Sequence, residues 1–216
     1  ATATLIYQET LPKERRSANM TDSLKKIPAL LRDRYFLGHC LLQCFVFGAF
    51  FSYLSGSSFI FQNIYAVSPQ GYSMIFAVIG AGLLLSGGLP ARLAGRVPDI
   101  TMLKYSVLVP FIGSALLLVG FCFEAPLAVI FILLFFTVVP LSVMGAASFS
   151  LALSRQGRNA GSASALIGCF SMLLGACMMP VVGIAGDHTA LPMGIVMLSC
   201  YGLGTAVFYG MIAAEH

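Results

Sequence analysis

The chain consists of long apolar runs separated by short polar connections. A helix needs about 20 apolar residues to cross a bilayer, and six runs reach that length: Tyr35–Leu54, Tyr72–Leu93, Met102–Phe121, Pro126–Leu153, Asn159–Ala185 and Leu191–Ala213. The runs do not alternate with period two, so transmembrane strands are not expected. The pattern predicts an all-α membrane protein with a six-helix transmembrane domain over residues 35–216. Pro110, Pro140 and Pro180 lie inside runs and are predicted kink points.

The segment before the first run, TDSLKKIPALLRDRY, predicts a short helix at the membrane surface. Leu24, Ile27 and Leu31 share one face at helical spacing, and basic residues occupy the rest of the segment. Thr21, Asp22 or Ser23 is the expected N-cap. The alternative interpretation is an ordinary solvated basic loop.

Composition confirms the need for a lipid environment. The chain is 58% hydrophobic and 9% charged, with a mean hydropathy of +0.91, whereas soluble domains carry about 25% charge. None of the six Cys forms a CxxC pair. Free thiols packed in helices are therefore expected, with a metal or disulfide framework as the alternative.

The basic residues are distributed asymmetrically. All twelve Lys and Arg lie in the N-terminal segment, in the connection between the second and third runs, or in the connection between the fourth and fifth. The opposite connections carry Glu124, Asp187 and His188 instead. The positive-inside rule then places both termini in the cytoplasm. Membrane topology alone accounts for the basic charge, so no nucleic-acid partner is inferred.

The chemistry available inside the runs is sparse. All eight Asp and Glu lie outside them, although proton-driven pumps usually need an acid within the membrane. His39 is the main titratable candidate in a run, and Gln43 lies four residues later on the same face. That stripe continues through Phe47 and Phe50 and predicts a cavity lining. For His39, a structural hydrogen bond to a neighbouring helix is the competing interpretation.

An enzyme is not predicted. An intramembrane protease needs a nucleophile and a base at matching depth, but Ser57 and Ser58 lie near the outer side and His39 near the inner side. The sequence has no phosphate loop and no His/Cys spacing typical of a metal site, so neither a metal nor a cofactor is expected.

Four stretches resemble one family. FIFQNIYAVSPQGYS, residues 59–73, resembles the outer connection between the seventh and eighth helices of drug:proton antiporters of the major facilitator superfamily, in particular the bicyclomycin-resistance (Bcr/CflA) type. YQETLPKERR, residues 7–16, is similar to the end of that family's sixth helix and the start of its central linker. NAGSASALIG, residues 159–168, resembles the start of the eleventh helix.

The fourth stretch, GGLPARLAGRVP at 87–98, lies where the superfamily carries a Gly-rich inner loop with Arg. The signature is degenerate, because Arg92 stands where its strong form has an acid. A gating role for that acid is therefore not transferred, and Arg92 and Arg96 are expected to anchor the loop.

The resemblance implies one half, helices seven to twelve, of a twelve-helix fold. Residues 1–34 would be the end of the preceding helix plus a basic cytoplasmic linker with its interfacial helix. The implied function is proton-coupled efflux of small amphipathic drug-like molecules by alternating access, in the bacterial inner membrane. The implied partner is the N-terminal half, and the proton gradient is the implied energy source. The alternative is a self-contained six-helix binding or regulatory module that pairs as a parallel homodimer.

Two residue sets follow from this reading. Helix position and polar or aromatic character favour a cavity lining of Gln43, Phe47, Phe50, Thr137 and Met144. The family's outer gate implies contacts by Phe59, Phe61, Gln62, Asn63 and Tyr65. The alternative for the second set is that Ser68-Pro69-Gln70 caps the next helix while the aromatics form an interfacial belt.

Overall fold

The computed structural model describes residues 27–93, 95–184 and 189–215, and this part of the chain contains helices joined by short connections, without strands. The α-helices in chain order are α1 Ile27–Arg32, α2 Arg34–Phe59, α3 Pro69–Gly87, α4 Leu89–Leu93, α5 Asp99–Cys122, α6 Leu127–Val138, α7 Leu141–Ser154, α8 Ala160–Gly183 and α9 Leu191–Val207. Single π-helical segments, Ile60–Ile64 and Phe208–Ile212, extend α2 and α9.

Six helical segments of the described residues are long and apolar enough to cross a membrane, which confirms the predicted fold class. They are Arg34–Ile64, Pro69–Leu93, Asp99–Cys122, Leu127–Ser154, Ala160–Gly183 and Leu191–Ile212. Successive segments alternate in direction, so Arg34, Arg92, Arg96 and Arg155 lie at one end, here called the basic end. The other end is called the opposite end.

The first segment is longer than predicted. It continues to Ile64 and has 31 residues, which is about 46 Å of helix, whereas the hydrocarbon core is about 30 Å thick. The sequence suggested a polar connection from residue 55 onward, but the polar side chains there bond within the helical segment or to neighbouring helices. The Gln62 amide nitrogen, for example, donates to Ser58 Oγ over 2.9 Å. Between the first and second segments, non-helical backbone is confined to residues 65–68.

The helix α2 lies at the centre of the bundle. It packs against α7, α8 and α9. In the most apolar stretch of the first segment 56% of the residues are buried, compared with 11% in the segment that contains α3. Gly48 allows this close packing, because a Cβ there would lie 3.1 Å from Cys200 Sγ and 3.3 Å from Met178 Cγ. α2 is therefore the helix on which three others pack.

The fourth segment is interrupted at Val139 and Pro140, as the proline predicted. Proline lacks the N–H that would continue the ladder, and two carbonyl groups beside the break are bonded by hydroxyls from other helices. Ser86 Oγ donates to the Val139 carbonyl over 2.9 Å, and Tyr201 OH donates to the Thr137 carbonyl over 3.2 Å. The other two prolines lie within the continuous helices α5 and α8.

The basic end has its own set of contacts. α1 is a short helix whose Leu30 is buried against Phe36 and neighbouring residues, while the predicted caps of this segment lie outside the described residues. Asp33 caps α2 by accepting bonds from the backbone N–H groups of residues 35 and 36. Its other oxygen accepts from the Gln156 amide over 2.8 Å. The six cysteines are free thiols, as expected.

Candidate functional site

A line of polar contacts connects α2 to α7. The α2 residues lie four apart, at 35, 39 and 43, so they share one stripe, and α7 runs antiparallel beside it. We call this line the polar seam; its residues, from the basic end inward, are Tyr35, Arg155, His39, Ser148 and Gln43. The Arg155 guanidinium lies 3.7 Å from the centre of the Tyr35 ring.

His39 occupies the middle of the polar seam. It is 1% exposed, its Nδ1 lies 2.9 Å from Ser148 Oγ, and its ring meets the Tyr35 ring edge-on at 4.6 Å. This geometry agrees with the structural interpretation, in which the histidine bonds to a neighbouring helix. A titrating role for His39 stays a prediction.

Gln43 is the last residue of the polar seam, on the side toward the middle of the bundle. Its side chain packs over Gly145, whose missing Cβ would lie 3.4 Å from Gln43 Nε2. The residue is 8% exposed, and its Oε1 is buried with no hydrogen-bond partner among the described residues. The amide therefore presents an acceptor without a donor.

A continuous series of aromatic rings extends from Gln43 toward the opposite end. Neighbouring ring centres are 6.1–6.3 Å apart, within the usual range for aromatic pairs. We call this series the aromatic chain; in order of contact it is Phe47, Phe51, Phe50, Tyr53, Phe76, Tyr72 and Phe61. Near the end of the aromatic chain, a hydrogen bond of 3.0 Å also joins Tyr72 OH to Ser57 Oγ on α2.

The aromatic chain contains predicted and unpredicted residues. Phe47 and Phe50 were predicted and are both half-buried. Tyr53 was missed although it lies three residues after Phe50, a helical spacing that could have revealed it. Tyr72 and Phe76 belong to α3, and no local signal in the sequence pairs them with α2.

The two cavity residues predicted on the fourth segment are packed inside the bundle. Thr137 is 0% exposed and Met144 is 1% exposed. The Thr137 hydroxyl donates to the Leu133 carbonyl within its own helix, over 2.7 Å. Their assignment to the cavity stays a prediction. In this unit both side chains are packed between helices.

The predicted outer-gate residues lie in different environments at the opposite end. Phe61 is 1% exposed and joins the aromatic chain, whereas Asn63 is exposed and Phe59 and Gln62 are half-buried. Tyr65 OH donates to the Ala125 carbonyl over 2.8 Å, linking two connections at the opposite end. Ser68 accepts from the Gly71 N–H, so the expected cap of α3 is confirmed. A gating role for these residues stays a prediction.

The phenol of Tyr65 lies outside the membrane-spanning segments. Partial burial, and then the neighbouring Glu124 carboxylate, raise the pKa of Tyr65 above its usual value. A cavity of ≈ 380 Å³ lies beside it, lined by Ile64, Tyr65, Phe121, Glu124, Thr189 and Ala190. At the basic end Arg92 and Arg96 are exposed, and their anchoring role also stays a prediction.

Comparison with known proteins identifies the class of molecule. The chain is 36% identical, over 96% of its length, to the "Uncharacterized MFS-type transporter YdgK" of Bacillus subtilis. It is 25% identical, over 94% of its length, to the "Bicyclomycin resistance protein homolog" of Haemophilus influenzae. The chain spans about half the length of these curated relatives, 52% of each. No family profile and no solved structure matches it.

The length covered agrees with the architecture. Six membrane-spanning helices are half of the twelve in a major facilitator fold, and the matches are consistent with the C-terminal half. The closeness to the bicyclomycin-resistance type rests on the more distant relative. The resemblance stated from the sequence is thus confirmed: this chain is homologous, over nearly its whole length, to half of a transporter of the major facilitator superfamily.

Proposed function

We propose that this six-helix unit is the C-terminal half of a proton-coupled exporter of small amphipathic molecules. The observation that carries the proposal is the match to half of an MFS-type transporter over almost the entire chain. Coverage of 52% in both relatives favours a half that works with a second six-helix half over a self-contained module.

The described geometry supports an apolar, aromatic substrate. The stripe on α2 offers one amide, Gln43, followed by the rings of the aromatic chain, and it carries no charged side chain between Arg34 and Ile64. Ligand sites are typically of this kind, mostly apolar with a few placed polar groups. Aromatic faces also attract organic cations. The name of the second relative, a resistance protein homolog, points to the same substrate class.

The energy source and the orientation belong to the same proposal. The protein would lie in the bacterial inner membrane with its basic end in the cytoplasm, in accordance with the positive-inside rule. Alternating access would arise from rocking of two halves around a site at mid-membrane depth. Because no acid lies inside the apolar runs, the main proton-binding acid would belong to the other half.

The test is dye transport in proteoliposomes. The complete transporter and this chain alone are reconstituted separately, and uptake of a fluorescent cationic dye is followed after an imposed pH gradient. The proposal expects uptake by the complete transporter, abolished by a protonophore, and none by this chain alone. Uptake that is indifferent to the protonophore contradicts proton coupling. Equal uptake by the isolated chain contradicts its role as a half.

A further inference from the structure

The cavity beside Tyr65 lies where three membrane-spanning segments end. Its volume of ≈ 380 Å³ is within the range of about 300–1,000 Å³ that is usual for small-molecule sites. Ile64 ends the first segment, Phe121 lies near the end of the third, and Ala190 precedes the sixth. These termini belong to the opposite end. Ile64 and Glu124 are exposed lining residues, so a small molecule in the solution at that end can reach the cavity.

Glu124 gives this cavity a negative charge. It is the one charged residue in the described lining, and every Lys and Arg of the chain belongs to the N-terminal segment or to the connections at the basic end. Its carboxylate lies close enough to the Tyr65 phenol to raise the pKa of Tyr65, after the larger effect of burial. The opposite end thus has no Lys or Arg to pair with this carboxylate, and a cation from solution is its natural complement.

Two hydroxyl groups add acceptors to the cavity. Tyr65 OH donates its hydrogen to the Ala125 carbonyl over 2.8 Å, and the Thr189 hydroxyl oxygen accepts from the Leu191 N–H over 3.2 Å. Each oxygen keeps further acceptor capacity, because a hydroxyl oxygen has two lone pairs. Together with Glu124, the lining therefore includes three oxygen-bearing side chains, and a primary ammonium group carries three N–H donors.

The apolar part of the lining favours an organic ammonium ion over a metal ion. Ile64, Phe121 and Ala190 supply alkyl and aromatic surface, which the body of an organic cation can cover and a hydrated metal ion cannot. Ca²⁺ usually takes about 6–8 oxygen ligands. Among the described residues, no group of three or more His, Cys, Asp or Glu side chains could hold a metal ion.

The backbone at Glu124 bears on why a glutamate occupies this position. Its φ is +49°, in the left-handed region, where glycine and asparagine are favoured over other residues. Glutamate is therefore not the residue type that the turn itself favours. A role for its carboxylate in binding accounts for a choice that the local conformation does not explain.

We propose that this cavity binds small organic ammonium ions from the solution at the opposite end, with the charged group against the Glu124 carboxylate and the apolar body against Phe121 and Ile64. The ligand class is primary amines with a short aromatic or alkyl body. The site is separate from the aromatic chain, whose residues do not line it. The inference goes beyond the proposed function, because it holds whether or not the complete protein transports these ions.

Two probes with one ring system isolate the charge. 4-Fluorobenzylammonium carries the ammonium group, and 4-fluorobenzyl alcohol is its neutral counterpart. Binding of each probe to the purified complete transporter in detergent is followed by the broadening of its ¹⁹F NMR signal, with protein-free micelles as the blank. The variants are Glu124→Gln, which keeps the shape of the side chain but removes its charge, and Ile64→Trp, which fills the cavity from an exposed position. Asp99→Asn is the matched control, since it makes the same charge change in the first turn of α5, at the basic end.

The expected result is a loss confined to the ammonium ion when the charge is removed. Glu124→Gln weakens binding of 4-fluorobenzylammonium about 3–10-fold, between the effect of an exposed ion pair and that of a hydrogen bond to a charged group. It leaves binding of the alcohol unchanged. Ile64→Trp weakens binding of the ammonium ion at least as much, and Asp99→Asn has no effect. The melting temperature of each variant, compared with the wild type, shows that it is folded.

Other outcomes overturn the inference. If Glu124→Gln leaves the affinity for the ammonium ion unchanged, the ion binds elsewhere in the transporter or not at all. If Asp99→Asn weakens binding as much as Glu124→Gln, the ion follows the overall charge of the protein. Displacement of the ammonium ion by an equal concentration of Ca²⁺ makes the cavity a metal site. Dye uptake in proteoliposomes tests the proposed transport function separately, so failure of the cavity and failure of transport are distinguishable.

Discussion

Replacing Gly82 with alanine should loosen α3 from the bundle. Gly82 faces α6, and a Cβ at this position would lie 2.6 Å from Val139 Cγ2 and 2.9 Å from Phe135 Cε2. Real Cβ atoms do not approach other atoms so closely, and Val139 is β-branched and cannot swing away freely. The helix must therefore move outward, which also strains the bond from Ser86 to the Val139 carbonyl.

The magnitude follows from comparing two glycines of the same helix. Overpacking of a packed site costs about 1–3 kcal/mol, while alanine gains about 1 kcal/mol over glycine in a helix. Gly80 lies two residues away on α3, and among the described residues nothing comes within 4 Å of its missing Cβ. The gain in helix propensity is common to both substitutions, so Gly82→Ala should be about 1–3 kcal/mol less stable than Gly80→Ala.

Thermal unfolding in mild detergent measures this difference. A thiol-reactive fluorophore reports unfolding, because Cys40, Cys44 and Cys200 are buried and become reactive when the bundle opens. At about 2–4 °C per kcal/mol for a chain of this size, Gly82→Ala should melt about 2–12 °C below Gly80→Ala. Adding Val139→Ala should recover part of that loss. Equal melting temperatures for the two glycine variants would refute the packing of α3 on α6 described above.

Three further predictions concern the two ends of the bundle. Asp33→Ala removes the N-cap of α2 and should cost about 1–2 kcal/mol in thermal stability, whereas Asp33→Asn should retain most of it; equal losses would contradict a capping role. A double-mutant cycle with His39→Ala and Ser148→Ala should give a coupling of about 0.6–1.7 kcal/mol, and additive losses would mean that the bond is absent. Burial and then Glu124 raise the pKa of Tyr65. The phenol therefore donates its hydrogen bond to the Ala125 carbonyl at every pH below the usual pKa of tyrosine. The contribution is lost as pH rises through the higher folded value, so Tyr65→Phe should destabilise by about 1 kcal/mol at pH 8 and much less above that pKa; a pH-independent difference would argue against the bond.

The six spans were predictable because the length of an apolar run alone decides whether it crosses the membrane. The end of the first span was not, since Ser57, Ser58 and Gln62 have the composition of a connection. Their side chains nevertheless find partners within reach: Ser58 and Gln62 bond one turn apart on the helical segment, and Ser57 contacts the next span. Polar composition therefore misplaced a boundary that local hydrogen bonding determines.

The candidate site was predictable only along one helix. Spacing of three and four residues places His39, Gln43, Phe47 and Phe50 on one stripe regardless of their neighbours. Which helix faces that stripe depends on long-range packing, so partners on α3 and α7 could not be read from the sequence. Thr137 shows the same limit, because the sequence placed it on an apolar run but could not show that its side chain is buried against other helices in this unit.

The two ends of α2 are held by contacts of different kinds, and this difference bears on how a transporter half could move. At the basic end, directional bonds fix the helix: the Asp33 cap, its bond to Gln156, and the contact of His39 with Ser148. Toward the opposite end, directional bonds such as that between Ser57 and Tyr72 also occur, but the aromatic chain adds a series of ring contacts with centres 6.1–6.3 Å apart. A surface exposed in turn to water and to a partner also avoids fixed charge, since each burial would carry a desolvation cost. Under the proposed alternating access, we therefore expect the uncharged, aromatic half of α2 to face the surface that opens and the polar seam to stay closed within this half.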